Sequence, residues 1–300
     1  MKTNTKNSKA KIGVLGGDCR QLAMAEELAG NGFEVAVTGF DRYDGEIILP
    51  TRCIGMESAV REAVAVVLPL PYSHDNIRLN CPLGEGEFRL GKLFDLLSGN
   101  QLVIGGRFND TAYAMAEKAG VTLYDYCARE EFNVSNAVPT AEGALAIAMD
   151  RLPVTIHGSR CTVLGFGRIG KVLCRTLHAL GAHVTAAARK PADLAWIRAM
   201  GYTPMYIRDL CTMEEKPDVI FNTVPDVILN RAVLDRLGSG TLVIDLASKP
   251  GGVDRRAAQD AGVEVVWALS IPGKASPVTA GQIIAQSVLN ILYGEGVLPS

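Results

Sequence analysis

Apolar residues fall into short runs along the chain, separated by stretches with helical spacing. In the first half the runs are "KIGVLG" (11–16), "FEVAVTGF" (33–40), "AVAVVLPL" (63–70), "QLVIGG" (101–106) and "VTLYDY" (121–126). "RQLAMAEELAGNG" follows the first run and "DTAYAMAEKAG" precedes the last. Both are apolar at helical spacing and stopped by glycine. The second half repeats the scheme with "CTVLGFG" (161–167), "HVTAAAR" (183–189), "YTPMYI" (202–207), "DVIFNTVP" (218–225), "TLVIDLA" (241–247) and "VEVVWAL" (263–269). Short continuous apolar runs that alternate with helices predict parallel strands buried on both faces. "NAVPTAEGALAIAMDRL" (136–152) reads as a helix begun near Pro139, because a first turn does not need the N–H that proline lacks. The final "PVTAGQIIAQSVLNILYG" (277–294) reads as an amphipathic helix.

The expected fold class is α/β, with two doubly wound parallel-sheet domains and an interdomain cleft. Residues 1–140 form the first, substrate-side domain, and residues 141–300 form a Rossmann dinucleotide-binding domain. A C-terminal helix at about 279–293 is expected to pack back on the first domain. The polar stretch 71–91 is long for a connection inside a compact domain and reads as a functional loop.

Composition narrows the function classes. The 300 residues are 48% hydrophobic and 21% charged, with a net charge of −2 and no basic block, which argues against a nucleic-acid binder. No run approaches the ~18 apolar residues of a membrane span. The polar, basic N-terminus precedes an apolar run too short for a secretory signal. Seven cysteines without a CxxC pair suggest a reducing, cytoplasmic setting, with neither a disulfide framework nor a zinc site.

The chemistry concentrates at strand ends. Gly165, Gly167 and Gly170 form GxGxxG between a strand and a helix: one glycine for the turn, one for approach to a pyrophosphate, one for helix–strand packing. Phosphates would sit on the free N–H groups of the helix start, with Arg168 and Ile169 beside them. An NAD site needs an acid at the end of the second strand to accept from the ribose 2′-OH. Here Ala188 is followed by Arg189 and Lys190, which suit a 2′-phosphate, so the expected cofactor is NADP(H). Asp193 falls inside the next helix. Asn222, Thr223, Val224 and Pro225 end one strand, and Asp245, Leu246 and Ala247 end the next; both segments are expected to line the cofactor crevice.

In the first half, "GVLGGDCRQ" departs from GxGxxG. Asp18 there reads as a helix cap that would repel a phosphate. Arg20 is a candidate to fork onto an acidic substrate.

The ordered set "GVLGGDCRQ", "NAVPTAEG", "IHGSRCTVLGFGRIG", "FNTVP", "DLASKPGGVD" and "PGKASPVTAGQI" resembles the family of dipicolinate synthase A subunits, from about residue 11 to 292. Residues 42–100 match least. The resemblance implies NADP-dependent oxidation of dihydrodipicolinate to dipicolinate, in the mother cell of a spore-forming bacterium. It also implies a flavoprotein-like partner, the dipicolinate synthase B subunit. Two substrate carboxylates ask for cationic clamps, for which Arg20, Arg129 and Lys249 are candidates, with Ser248 and Thr279 as hydrogen-bonders. Asp245 is either a base, an orienting group for Lys249, or a satisfied strand-end acid. His157 precedes the cofactor strand, too early to reach a substrate, and His74 is an acid/base candidate in the 71–91 loop. A homo-oligomer is expected. Two alternatives stay open: a shikimate- or methylenetetrahydrofolate-type dehydrogenase, and a non-catalytic NADP-binding subunit.

Overall fold

The computed structural model describes residues 10–47, 51–52 and 55–297. The N-terminal lead (1–9) and Cys53, weighed above, lie outside them. The chain divides into two compact units, Met1–Ser135 with Ser276–Ser300, and Asn136–Ala275.

The first unit runs β1 (Lys11–Leu15), α1 (Cys19–Gly30), β2 (Glu34–Thr38), β3 (Thr51–Arg52), α2 (Met56–Val60), β4 (Ala65–Val67), α3 (Leu90–Leu96), β5 (Leu102–Gly105), α4 (Asp110–Ala119) and β6 (Thr122–Asp125). Its sheet is parallel in the order β3-β2-β1-β4-β5-β6. Side chains alternate across it as the pleat requires. Ile12 and Val14 face one core with Leu28, while Leu15 and Val66 face another with Met56 and Leu93. β3, α2 and α3 were not predicted.

Next comes α5 (Glu130–Arg151), which carries Pro139 in its interior. The helix expected to begin near Pro139 therefore begins more than two turns earlier. An interior proline removes its own hydrogen bond to the preceding turn and crowds the carbonyl there, a local cost that a helix of 22 residues absorbs. Here Glu130 and Glu131 in the first turn suit the positive end of the helix dipole. Thr140 adds a side-chain bond to the Asn136 carbonyl at 2.7 Å. The boundary between the units falls inside this helix, after Ser135, and not at residue 140.

The second unit continues with β7 (Arg160–Leu164), α6 (Arg168–Ala179), β8 (His183–Ala188), α7 (Pro191–Ala199), β9 (Thr203–Tyr206), β10 (Val219–Asn222), α8 (Arg231–Leu237), β11 (Leu242–Asp245), α9 (Arg255–Asp260), β12 (Glu264–Trp267) and α10 (Ile271–Ala275). Its parallel sheet has the order β12-β11-β10-β7-β8-β9. Both sheets thus follow the 3-2-1-4-5-6 order of the doubly wound fold, and each has a switch point where that order reverses. α11 (Pro277–Gly294) belongs to the first unit, where Ile284, Ala285 and Val288 join the core of α1. Among the described residues no helix is long and apolar enough to cross a membrane. No group of His, Cys, Asp or Glu among them could hold a metal ion.

Candidate functional site

At the switch point of the second unit, β7 is followed by Gly165 with φ of 94°, a left-handed conformation that favours glycine. Its turn is tied down on both sides. Gly165 N–H donates to the Ala187 carbonyl at 2.9 Å, and Thr223 donates to the Leu164 carbonyl through N–H (2.9 Å) and Oγ1 (2.8 Å). A Cβ on Gly170 would collide with the Gly165 carbonyl oxygen, so only glycine lets α6 start this close to the turn. A Cβ on Gly167 would meet nothing within 4 Å. Gly167 is also the N-cap of α6, and no side chain caps its free N–H groups. Open space in front of an uncapped helix start fits a pyrophosphate. Arg168 and Ile169 form the first turn of that helix.

The neighbouring strand ends complete the crevice. Ala188 ends β8 and is buried, whereas Arg189 and Lys190 are exposed. Neither has a side-chain hydrogen bond or ion pair among the described residues. Asp193 lies in the first turn of α7. Asn222, fully buried, donates to Asp245 Oδ1 at 2.8 Å and to the Val224 carbonyl at 3.1 Å, and its Oδ1 accepts from Val224 N–H. Pro225 is exposed beyond it, and Leu246 and Ala247 are buried after β11.

Asp245 itself is 3% exposed. Oδ1 accepts from Asn222 and from Ala247 N–H (3.2 Å), and Oδ2 accepts from Gly252 N–H at 2.9 Å. The carboxylate therefore shapes the 245–252 loop. Its oxygens face Asn222, Ala247 and Gly252, not Lys249. Trp267, which sequence reasoning missed, holds the same loop by donating Nε1–H to the Ala247 carbonyl at 3.0 Å. Ser248 and Lys249 are exposed on this loop.

The first unit has the same switch point but has closed it. Asp18 Oδ1 caps α1 through Arg20 N–H at 3.0 Å, and Gln21 Oε1 accepts from Asp18 N–H at 3.1 Å, a complete capping box. The loop after β4 then lies across the crevice. Asn80 accepts from Gly17 N–H at 2.9 Å and donates its own N–H to the Tyr72 carbonyl at 2.8 Å. Cys81 Sγ bonds to the Gly39 carbonyl at 3.2 Å, and Leu83 accepts from Arg42 N–H at 2.8 Å. Burial pushes the Cys81 thiol up to about 11. The 71–91 stretch is thus a plug over the ends of β1 and β2.

The cationic candidates of this unit fare differently from expectation. Arg20, only 12% exposed, forks onto Asp18 through Nε (2.9 Å) and Nη2 (2.8 Å) and also donates to the Leu70 carbonyl at 2.8 Å. Its fork is already filled, so it braces the turn. Arg129 is paired with Glu131. Thr279 is exposed near the start of α11. His74 is exposed in the plug, and His157 packs beneath Gly181 before the start of β7, at the edge away from the strand carboxyl ends. Arg107, which sequence reasoning passed over, follows the end of β5 with φ of 61°.

Two family models match the chain in succession. Residues 11–127 match the N-terminal domain of the dipicolinate synthase A subunit, and residues 131–261 match the NAD-binding domain of D-isomer specific 2-hydroxyacid dehydrogenases. The dipicolinate synthase A subunit of Bacillus subtilis (strain 168) is 34% identical over 286 residues, 95% of this chain and 96% of that one. The crystal structure of the dipicolinate synthase A subunit from Bacillus halodurans superposes with a TM-score of 0.86 at 31% identity, covering 95% of this chain and 98% of that one. The A chain of the Bacillus subtilis dipicolinate synthase superposes with a TM-score of 0.85 at 33% identity, covering 97% and 98%.

Proposed function

The chain belongs to the family of dipicolinate synthase A subunits, and from that premise we propose that it oxidises dihydrodipicolinate to dipicolinate (pyridine-2,6-dicarboxylate) with NADP⁺. On this reading it acts during sporulation, in the cytoplasm of the mother cell, working with the B subunit. The observation that carries the cofactor choice is the end of β8: buried Ala188 where an NAD site needs an acid, then the exposed cations Arg189 and Lys190. A carboxylate at that point would repel a 2′-phosphate, whereas two cations attract it.

The cofactor, when bound, supplies a hydride acceptor. Gly165, Gly167, Gly170 and the start of α6 would hold its pyrophosphate, and Thr223–Pro225 and Leu246–Ala247 would line the rest. Dihydrodipicolinate has two sp³ ring carbons. One loses a hydride to that acceptor and the other a proton to solvent water, and the ring becomes aromatic. The driving force lies in the substrate, so the protein's task is to bind, orient and desolvate it. Lys249, exposed on a loop fixed by Asp245 and Trp267, would take a carboxylate, with Ser248 beside it. Asp245 supports that loop and moves no proton.

The test is cofactor binding by a double variant, Arg189→Ala with Lys190→Ala. NADP⁺ affinity should fall by about tenfold or more, the scale of lost charge-assisted contacts, while NAD⁺ affinity stays within about twofold. An equal loss for both nucleotides would contradict 2′-phosphate recognition by these residues.

A further inference from the structure

Arg107 stands in a conformation that the chain has reason to avoid. Its φ is 61°, left-handed, at a residue with a Cβ. The peptides on either side are pinned. Gly106 N–H donates to the Pro69 carbonyl at 3.3 Å, and the Gly106 carbonyl accepts from Tyr72 N–H at 3.0 Å. Phe108 N–H donates to Asp125 Oδ2 at 2.9 Å, while Asp125 Oδ1 accepts from Cys127 N–H at 2.7 Å. The ring of Phe108 is packed against Tyr72, with centroids 5.2 Å apart. The backbone at Arg107 is therefore fixed from both sides. Left-handed positions usually fall to glycine, and the two residues before Arg107 are glycines. Strained residues that persist in an over-determined setting gather at ligand sites.

Its position gives the strain a use. In doubly wound sheets, ligands bind outside the carboxyl ends of the strands. In this unit the ends of β1 and β2 are covered by Asn80–Leu83, which leaves, on the β4 side of β1, the ends of β4, β5 and β6. Three arginines stand just beyond the ends of β1, β5 and β6. Arg20 is occupied by Asp18, and Arg129 by Glu131. Arg107 is exposed and has no side-chain hydrogen bond or ion pair among the described residues. It shares its surroundings with Asp125 and Arg20. Burial and then Asp125 push the Cys127 thiol up to about 12, while Arg107 and Arg20 both pull against that shift.

We propose that Arg107 binds a carboxylate of the pyridine-dicarboxylate substrate, its guanidinium presented by the rigid Gly105–Phe108 turn. The assignment rests on the diacid reading of the protein's function. A planar fork aimed at a carboxylate is the geometry in which arginine exceeds lysine.

The probe is dipicolinate, titrated into the full-length chain by calorimetry in the presence of saturating NADP⁺. Arg107→Gly removes the guanidinium and suits the left-handed backbone, so the variant should melt no lower than the wild type. Its affinity for dipicolinate should fall by at least about tenfold, with NADP⁺ affinity unchanged. Arg107→Lys should fall between the two. If the wild type binds dipicolinate and Arg107→Gly binds it equally well, the assignment of Arg107 is overturned and the diacid reading stands. An equal loss of NADP⁺ affinity in Arg107→Gly would overturn the assignment as well, because the residue would then act on the whole fold. If the wild type binds NADP⁺ but no dipicolinate, the diacid reading falls and takes Arg107 with it.

Discussion

Both oxygens of Asp245 are committed, to Asn222 at the end of β10 and to Ala247 and Gly252 of its own loop. Asp245→Asn would turn an NH₂ toward one of these donors and leave a buried group unpaired, at a cost of about 1–3 kcal/mol. The melting temperature should fall along with catalysis, as thermal denaturation of the variant would show. A catalytic base would instead lose turnover at unchanged stability. Arg20 gives a parallel case at the same scale: a cation at a strand end whose fork is filled by a carboxylate two residues away. Sequence spacing shows that such residues stand at strand ends. It does not show which neighbour answers them, because the donors to Asp245 come from as far along the chain as Asn222 and Gly252.

At the scale of elements, the two glycine turns differ in one respect that decides their use. The start of α6 is uncapped and faces open space at Gly167. The start of α1 is capped by Asp18 and overlaid by Asn80–Leu83. The full-length chain should therefore bind one NADP⁺, not two, and calorimetric stoichiometry checks this. A second nucleotide site would mean that the plug opens. This contrast was half legible in the sequence. Asp18 in "GVLGGDCRQ" announced a cap, and GxGxxG between a strand and a helix announced a phosphate cradle. The plug was visible only as a long polar stretch, since its grip on Gly17 and Gly39 runs through backbone groups and a thiol that no spacing rule reports. Pro139 misled for the opposite reason: a local rule about helix starts was overridden by a helix already well founded at Glu130. The short β3, α2 and α3 fall below the length at which periodicity speaks.

At the scale of the whole molecule, one topology occurs twice with a division of labour. The second unit keeps the nucleotide crevice of the doubly wound fold. The first unit has closed its own and carries Arg107 at the end of β5 instead. The ten or so apolar runs of the sequence were enough to foresee two parallel sheets, because strands buried on both faces must be continuously apolar. The chemistry of the substrate was not readable from any single run; it came from the ordered motifs and from family membership. The proposed reaction is NADP⁺-dependent oxidation of dihydrodipicolinate. The most direct measurement is the appearance of reduced nicotinamide absorbance when the purified chain meets NADP⁺ and freshly formed dihydrodipicolinate, with and without the B subunit. NADPH and dipicolinate should appear in equal amounts, from the chain alone or once the B subunit is added. Absence of NADPH under both conditions, with NADP⁺ shown to be bound, would contradict it and leave a nucleotide-binding protein without dehydrogenase activity.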